Sequence, residues 1–129
     1  MSVAVPVIAS LNGTTPGGWL DYAKQMEQAG AHALELNLYS LPSSPEHSAH
    51  DVERGQLQII AEVARSVRIP VSVKLSPFYT SLPHFVAEVA RTGARGAVLF
   101  NRFYQPDIDI EPLDNVQQRK AIIQTSKAN

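Results

Sequence analysis

Three observations on this 129-residue sequence predict an α/β fold built from parallel strands joined by helices. Short apolar runs of period two alternate with longer stretches of period three to four, in the order strand, helix, strand, helix, strand, helix, strand. That order implies parallel strands joined by right-handed crossovers. The junctions also echo one another: Ala29-Gly30-Ala31 leads to a strand ending at Asn37, and Thr92-Gly93-Ala94 to one ending at Asn101. Val5-Pro6-Val7 and Ile69-Pro70-Val71 open the first and third strands in the same way. Lastly, each strand closes on polar residues. Such repetition is what successive units of a TIM (β/α)8 barrel look like. A complete barrel needs roughly 200 residues or more, so the chain supplies about half of one. The expected division is a partial barrel domain over residues 1–113 and a polar C-terminal tail over 114–129.

The elements follow in order. Pro6 to Gly13 reads as a short buried strand stopped by glycine, after which Thr15-Pro16 has the form of a helix N-cap with proline in the first turn. Trp19, Ala23, Met26 and Gly30 are spaced by four, three and four, a single apolar stripe with Gly30 as its stop. Ala33 to Tyr39 is the next strand, with Leu34, Leu36 and Leu38 on one face and Glu35, Asn37 and Tyr39 on the other. Ser40 to His50, with two prolines and four serines, reads as a long loop. Leu57, Ile60, Ala61, Ala64 and Val67 then mark a second amphipathic helix, with Arg65 and Arg68 near its end. Ser81 and Pro83 start a third, with the stripe Leu82, Phe85, Val86 and Val89, stopping at Gly93. Gly96 to Asn101 is the fourth strand, and 114–129 reads as a weak helix or frayed tail.

Composition narrows the function classes. At 44% hydrophobic and 18% charged the chain is an ordinary globular one. A net charge of −1, with both signs interspersed, offers no basic face for nucleic acid or anionic lipid. The absence of cysteine excludes disulfides, thiolate metal sites and cysteine nucleophiles, and makes a reducing compartment the default. No run approaches a membrane span, and Met1 to Pro6 lacks the character of a signal peptide. A cytoplasmic protein is expected.

The third strand, Ile69 to Pro77, carries a lysine where another apolar residue would be usual. Val71, Val73 and Leu75 fall on one face, and Ser72, Lys74 and Ser76 on the other. An amine there can reach an anionic or electron-rich ring from a fixed point. It can equally pair with Glu35 on a neighbouring strand, and the residues leave both readings open. Ser10, Asn12, Glu35, Asn37, Lys74, Ser76 and Asn101 all stand at strand ends, and in parallel α/β architectures that carboxyl edge binds ligands. Asparagines supply paired donors and acceptors suited to a flat heterocycle with imide groups, and a lysine can stabilise charge on a reduced ring. Asn12 and Ser76, taken singly, are better read as residues that turn well, whereas the combination of Asn37, Lys74 and Asn101 reads as functional.

Other candidates carry less. His47 and His50 are three apart but have no third ligand near in sequence, so no metal is expected and solvated histidines are the better reading. Asp107, Asp109 and Glu111 alternate as a solvated edge would. No nucleophile elbow surrounds Ser40, and no glycine-rich dinucleotide or phosphate-loop motif occurs.

With Glu35-Leu36-Asn37-Leu38, Pro70 to Pro77 and Leu99 to Asp109 in view, the chain resembles the dihydroorotate dehydrogenase family, from about Val5 to Pro112. The resemblance implies an eight-stranded barrel with FMN over its carboxyl end, and oxidation of dihydroorotate or a related dihydropyrimidine in pyrimidine biosynthesis. By position it implies that Lys74 and Ser10 contact FMN, that Asn37 and Asn101 hold flavin and substrate, and that Ser40 is the base. The segment Tyr39-Ser40-Leu41-Pro42 departs from the family's usual Ser-Cys-Pro-Asn or Ser-Ser-Pro-Asn. The family's early barrel units and its later glycine-rich phosphate loops have no counterpart in the sequence. Two readings follow: a portion of a flavin oxidoreductase acting on a small molecule, or a catalytically inactive half-barrel that binds or self-associates. Either leaves a homo-oligomer or a complementing barrel half as partner.

Overall fold

The computed structural model describes residues 4–12, 16–38, 44–102, 106–108 and 123–125. Strands β1 (Ile8–Leu11), β2 (Ala33–Asn37), β3 (Val71–Leu75) and β4 (Gly96–Leu99) alternate with helices α1 (Pro16–Gln28), α2 (Ala49–Ser66) and α3 (Leu82–Arg91). The strands lie in one sheet in the order β1-β2-β3-β4, every pair parallel. Sequential order in space, with a helix between each pair of strands, is the arrangement of consecutive units of a TIM barrel, here an arc of four strands.

Parallel pairing sets neighbouring residues on a common face. Leu34 pairs with Val71 and Leu36 with both Leu11 and Val73, and these side chains form the buried core with Trp19, Ala23, Ile60, Val63, Phe85 and Val89 from the helices. The opposite face carries Ser10, Glu35, Asn37, Ser72 and Lys74 by the same register. One face of the sheet is therefore sealed by helices and the other is left to polar side chains.

Helix ends follow local chemistry. Gly30 has φ of 90°, and its N–H donates to the Glu27 carbonyl at 2.9 Å while that of Ala31 donates to the Met26 carbonyl at 3.1 Å. This pair of bonds needs a left-handed residue that glycine adopts without strain. Gly93, with φ of 100°, stands at the same place after α3. At the start of α2 the Ser48 hydroxyl accepts the Asp51 N–H at 3.1 Å, a side-chain N-cap. Near the end of α1, Glu27 Oε1 accepts the N–H groups of Arg68 at 2.6 Å and Ile69 at 3.3 Å, tying α1 to the entry of β3.

Several expectations are corrected. The long loop ends at Ser48, because the Ser48–Asp51 cap starts α2 at Ala49. Val63, three residues after Ile60, is buried on the α2 stripe, and Val67 is the C-cap rather than a helical residue. Ser81 stands at the N-cap of α3 without a side-chain cap bond, and Pro83 lies in the first turn. The fourth strand stops at Leu99. In the tail, Ile123–Thr125 is a strand, antiparallel to Pro106–Ile108, instead of a weak helix; β-branched Ile123 and Thr125 favour extended backbone. The boundary at residue 113 lies outside the described residues.

The outer strands are open. Leu75 is fully buried, whereas its β4 partner Leu99 is 50% exposed, because among the described residues no helix follows β4 to cover it. Ile8 on β1 and Phe100 just beyond β4 are likewise exposed.

Candidate functional site

Three of the predicted residues, Asn37, Lys74 and Asn101, gather at the carboxyl end of the sheet. Register places Ser10 beside Glu35, Glu35 beside Ser72, and Asn37 beside Lys74. Lys74 Nζ donates to Glu35 Oε1 at 3.3 Å, with 31% and 22% of the two side chains exposed. The ion pair left open by the sequence is thus formed, on the polar face and only partly open to solvent. Ser72 Oγ turns away from both charges and donates to the Leu34 carbonyl at 3.2 Å.

Asn101 bridges strands that are not adjacent. Its N–H donates to the Leu75 carbonyl at 2.8 Å, which extends β3 pairing past the end of β4. From there its side-chain Nδ2 reaches across β3 and donates to Asn37 Oδ1 at 2.5 Å, while its Oδ1 accepts the Arg102 N–H at 2.8 Å. The Leu38 N–H donates to the Lys74 carbonyl at 3.1 Å, fixing the backbone beside Asn37. Two amides and one ammonium are therefore set on a rigid sheet end. The Asn37 Nδ2 group makes no hydrogen bond among the described residues.

The other predicted residues fare differently. Ser10 lies on the polar face of β1 and is exposed, with β2 standing between it and Lys74 on β3. Asn12 is exposed, and Ser76 is 92% buried by its 8% exposure, its hydroxyl accepting the Phe78 N–H at 3.4 Å. Ser40 lies outside the described residues. Among the described residues no group of three or more metal-ligating side chains occurs. The direct Asn37–Asn101 bond was not foreseen. Both residues were visible as strand ends, but nothing in the sequence says that the chain after β4 leans over β3.

No protein-family model matches the chain. It is 36% identical over 112 residues to a putative dihydroorotate dehydrogenase A (fumarate) of Aeropyrum pernix, an alignment covering 83% of this chain and 35% of that protein. The chain is homologous to the dihydroorotate dehydrogenases. It is also 32% identical over 113 residues to the dihydroorotate dehydrogenase B (NAD(+)) catalytic subunit of Anoxybacillus flavithermus, and 31% over 109 residues to that of Endomicrobium trichonymphae. These alignments cover 83% and 84% of this chain, and in both cases 35% of the relative. The chain thus spans about a third of the length of the curated dihydroorotate dehydrogenases it matches. A solved structure of Yersinia pestis DHPS with a pterine–sulfa conjugate aligns at a TM-score of 0.52 and 24% identity, over 71% of this chain and 33% of that one. That likeness concerns the fold alone, and it accords with an arc of a barrel.

Proposed function

We propose that this chain is the portion of an FMN-dependent oxidoreductase that presents flavin- and substrate-facing strand ends, and that the enzyme oxidises dihydroorotate or a related dihydropyrimidine in pyrimidine biosynthesis. The observation that carries the reading is the gathering of Asn37, Asn101 and Lys74 at the carboxyl end of a parallel sheet, in a chain homologous to dihydroorotate dehydrogenases. The donor set fits the ring of the cofactor: two amides match imide edges, and an ammonium suits an electron-rich heterocycle. No glycine-rich phosphate loop accompanies it among the described residues, so the cofactor's phosphate would be held by other segments. FMN, when bound, supplies the two-electron acceptor for such an oxidation.

The chain's own residues would bind and orient. Lys74, held by Glu35, contributes a positive charge at a fixed point, and Ser10 contributes a hydroxyl from β1, two strands away. Asn37 and Asn101 fix one another's amide planes, so each meets a planar ligand without further ordering. Ser40 is proposed as the base that takes the substrate proton, on sequence position. The enzyme is proposed to be cytoplasmic; among the described residues no helix is long and apolar enough to cross a membrane.

The open edges support a partner that supplies strands. Among the described residues β1 and β4 each offer unpaired strand backbone with exposed apolar residues, Val5 and Ile8 at one side and Leu99 and Phe100 at the other, which calls for further strands. We propose a complementing barrel half, with self-association of an inactive half-barrel as the second reading. The test is anaerobic addition of dihydroorotate to the FMN-loaded protein. Bleaching of the flavin band supports the oxidoreductase, whereas a loaded protein that stays yellow with dihydroorotate and with other dihydropyrimidines refutes it.

A further inference from the structure

Away from the strand-end cluster, a pocket of about 260 Å³ opens between the first turns of α2 and the loop that follows β3. Its size lies just below the roughly 300 to 1,000 Å³ of sites for drug-sized ligands, which limits an occupant to about one ring. Its walls are fixed. The Tyr79 ring stacks on buried Phe85 with centroids 4.2 Å apart and planes 15° from parallel, and its hydroxyl donates to Gln56 Oε1 at 2.9 Å. Ser76, 8% exposed, lies in the lining beside it. Val52 and the half-exposed ring of Phe78 supply apolar surface.

Charge selects among occupants. Glu53 lines the pocket half-buried, and its carboxylate makes no hydrogen bond among the described residues. A carboxylate in that position gains from a ligand that donates to it. At the N-terminus of α2 the Asp51 N–H is already taken by Ser48, and the Asp51 carboxylate, which accepts the Ser48 hydroxyl at 2.5 Å, stands on the first turn and disfavours an anion there. A single-ring cavity with an aromatic wall follows, in which the Glu53 carboxylate is an acceptor beside the mixed polar groups of His47, Gln56 and Thr80.

We propose that this pocket binds a small planar molecule bearing N–H donors, an amide or an amidine, with its donors on Glu53 and its ring along Phe78. This site shares no lining residue with Asn37, Lys74 or Asn101, although Ser76 stands just beyond Lys74, and it does not rest on the flavin reading. The discriminating probes share one ring: benzamide and benzamidine donate N–H groups, and benzoate only accepts. In a ¹H–¹⁵N correlation spectrum of the full 129-residue chain, titrated to about 10 mM, benzamide and benzamidine are expected to shift the amides of Val52, Glu53, Gln56 and Tyr79 saturably. Benzoate should bind at least about tenfold more weakly. Glu53→Gln should weaken benzamidine about tenfold, and the dispersion of the same spectrum reports that the variant is folded. Tighter binding of benzamidine than of benzamide would assign the site to a cation, and equal binding to a neutral amide. Benzoate binding as tightly as benzamide, shifts confined to Asn37 and Lys74, no saturable shift by about 10 mM, or an unchanged benzamidine affinity in Glu53→Gln would each overturn the proposal.

Discussion

Removing Lys74 separates its ion pair with Glu35 from its proposed contact with FMN. The Lys74–Glu35 contact is 3.3 Å long with 31% and 22% of the side chains exposed, between the surface pairs worth about 0.2–1 kcal/mol and the buried ones whose breakage costs about 3–5 kcal/mol. At an effective dielectric constant near 20, the direct attraction at that distance is about 5 kcal/mol. Most of it is offset by partial desolvation of both groups and by about 2 kcal/mol of lysine rotamer entropy. A coupling of about 1 kcal/mol remains as the expected value for this geometry. Lys74→Met, Glu35→Gln and the double variant, unfolded in urea and followed by circular dichroism, form the cycle that measures it. The single Lys74→Met change is expected to lower stability by about 1–2 kcal/mol, because it strands a half-buried carboxylate, and to weaken FMN binding more than about tenfold. A coupling above about 3 kcal/mol with unchanged FMN affinity would refute this reasoning and make the lysine a purely structural partner.

Three further outcomes are expected. Glu27→Ala should cost about 2 kcal/mol in urea unfolding, since the carboxylate accepts two backbone N–H groups from the entry of β3; Glu27→Gln, which keeps the acceptor, should cost less than half of that. Ser48→Ala should cost about 1 kcal/mol through loss of the α2 cap, and the Asp51 carboxyl, held below its ordinary value chiefly by the Ser48 hydroxyl, should titrate higher by NMR. Burial, reinforced by Glu53, pushes the Tyr79 hydroxyl from 10.0 up to about 12 against its bonds to Ser76 and Gln56. The native state therefore keeps a proton that the unfolded chain loses, so stability is fully present below pH 10.0 and falls as pH rises to about 12; Tyr79→Phe should remove that part of the slope in a series of urea unfolding curves.

Periodicity made most of the fold legible. Leu34, Leu36 and Leu38, and Val71, Val73 and Leu75, alternate with polar residues and are buried as the pattern requires, and Gly30 and Gly93 stop their helices at positive φ. What escaped the sequence depends on approach between distant segments. Glu27 sits in the last helical turn, where the dipole disfavours an acid; that mismatch was the available sign of a specific partner, but it did not say that the partner was the backbone at Arg68 and Ile69. The bond from Asn101 to Asn37 needs the chain to cross over β3 after β4 ends, which no local signal encodes. Glu53, Gln56 and Tyr79 meet only because the loop after β3 packs on the first turns of α2, so the pocket they line had no sequence signature. Strand-end placement was legible because parallel register gathers what the sequence spaces apart, as Asn37 and Lys74 show.

The most direct test of the central claim is the visible absorption spectrum of the purified chain after incubation with a slight excess of FMN and desalting. A retained, shifted flavin band that is absent in Lys74→Met is the predicted result, either from the chain alone or after addition of the complementing barrel half. A colourless protein under both conditions, with wild-type and Lys74→Met indistinguishable, would contradict the assignment of the strand ends to a flavin site.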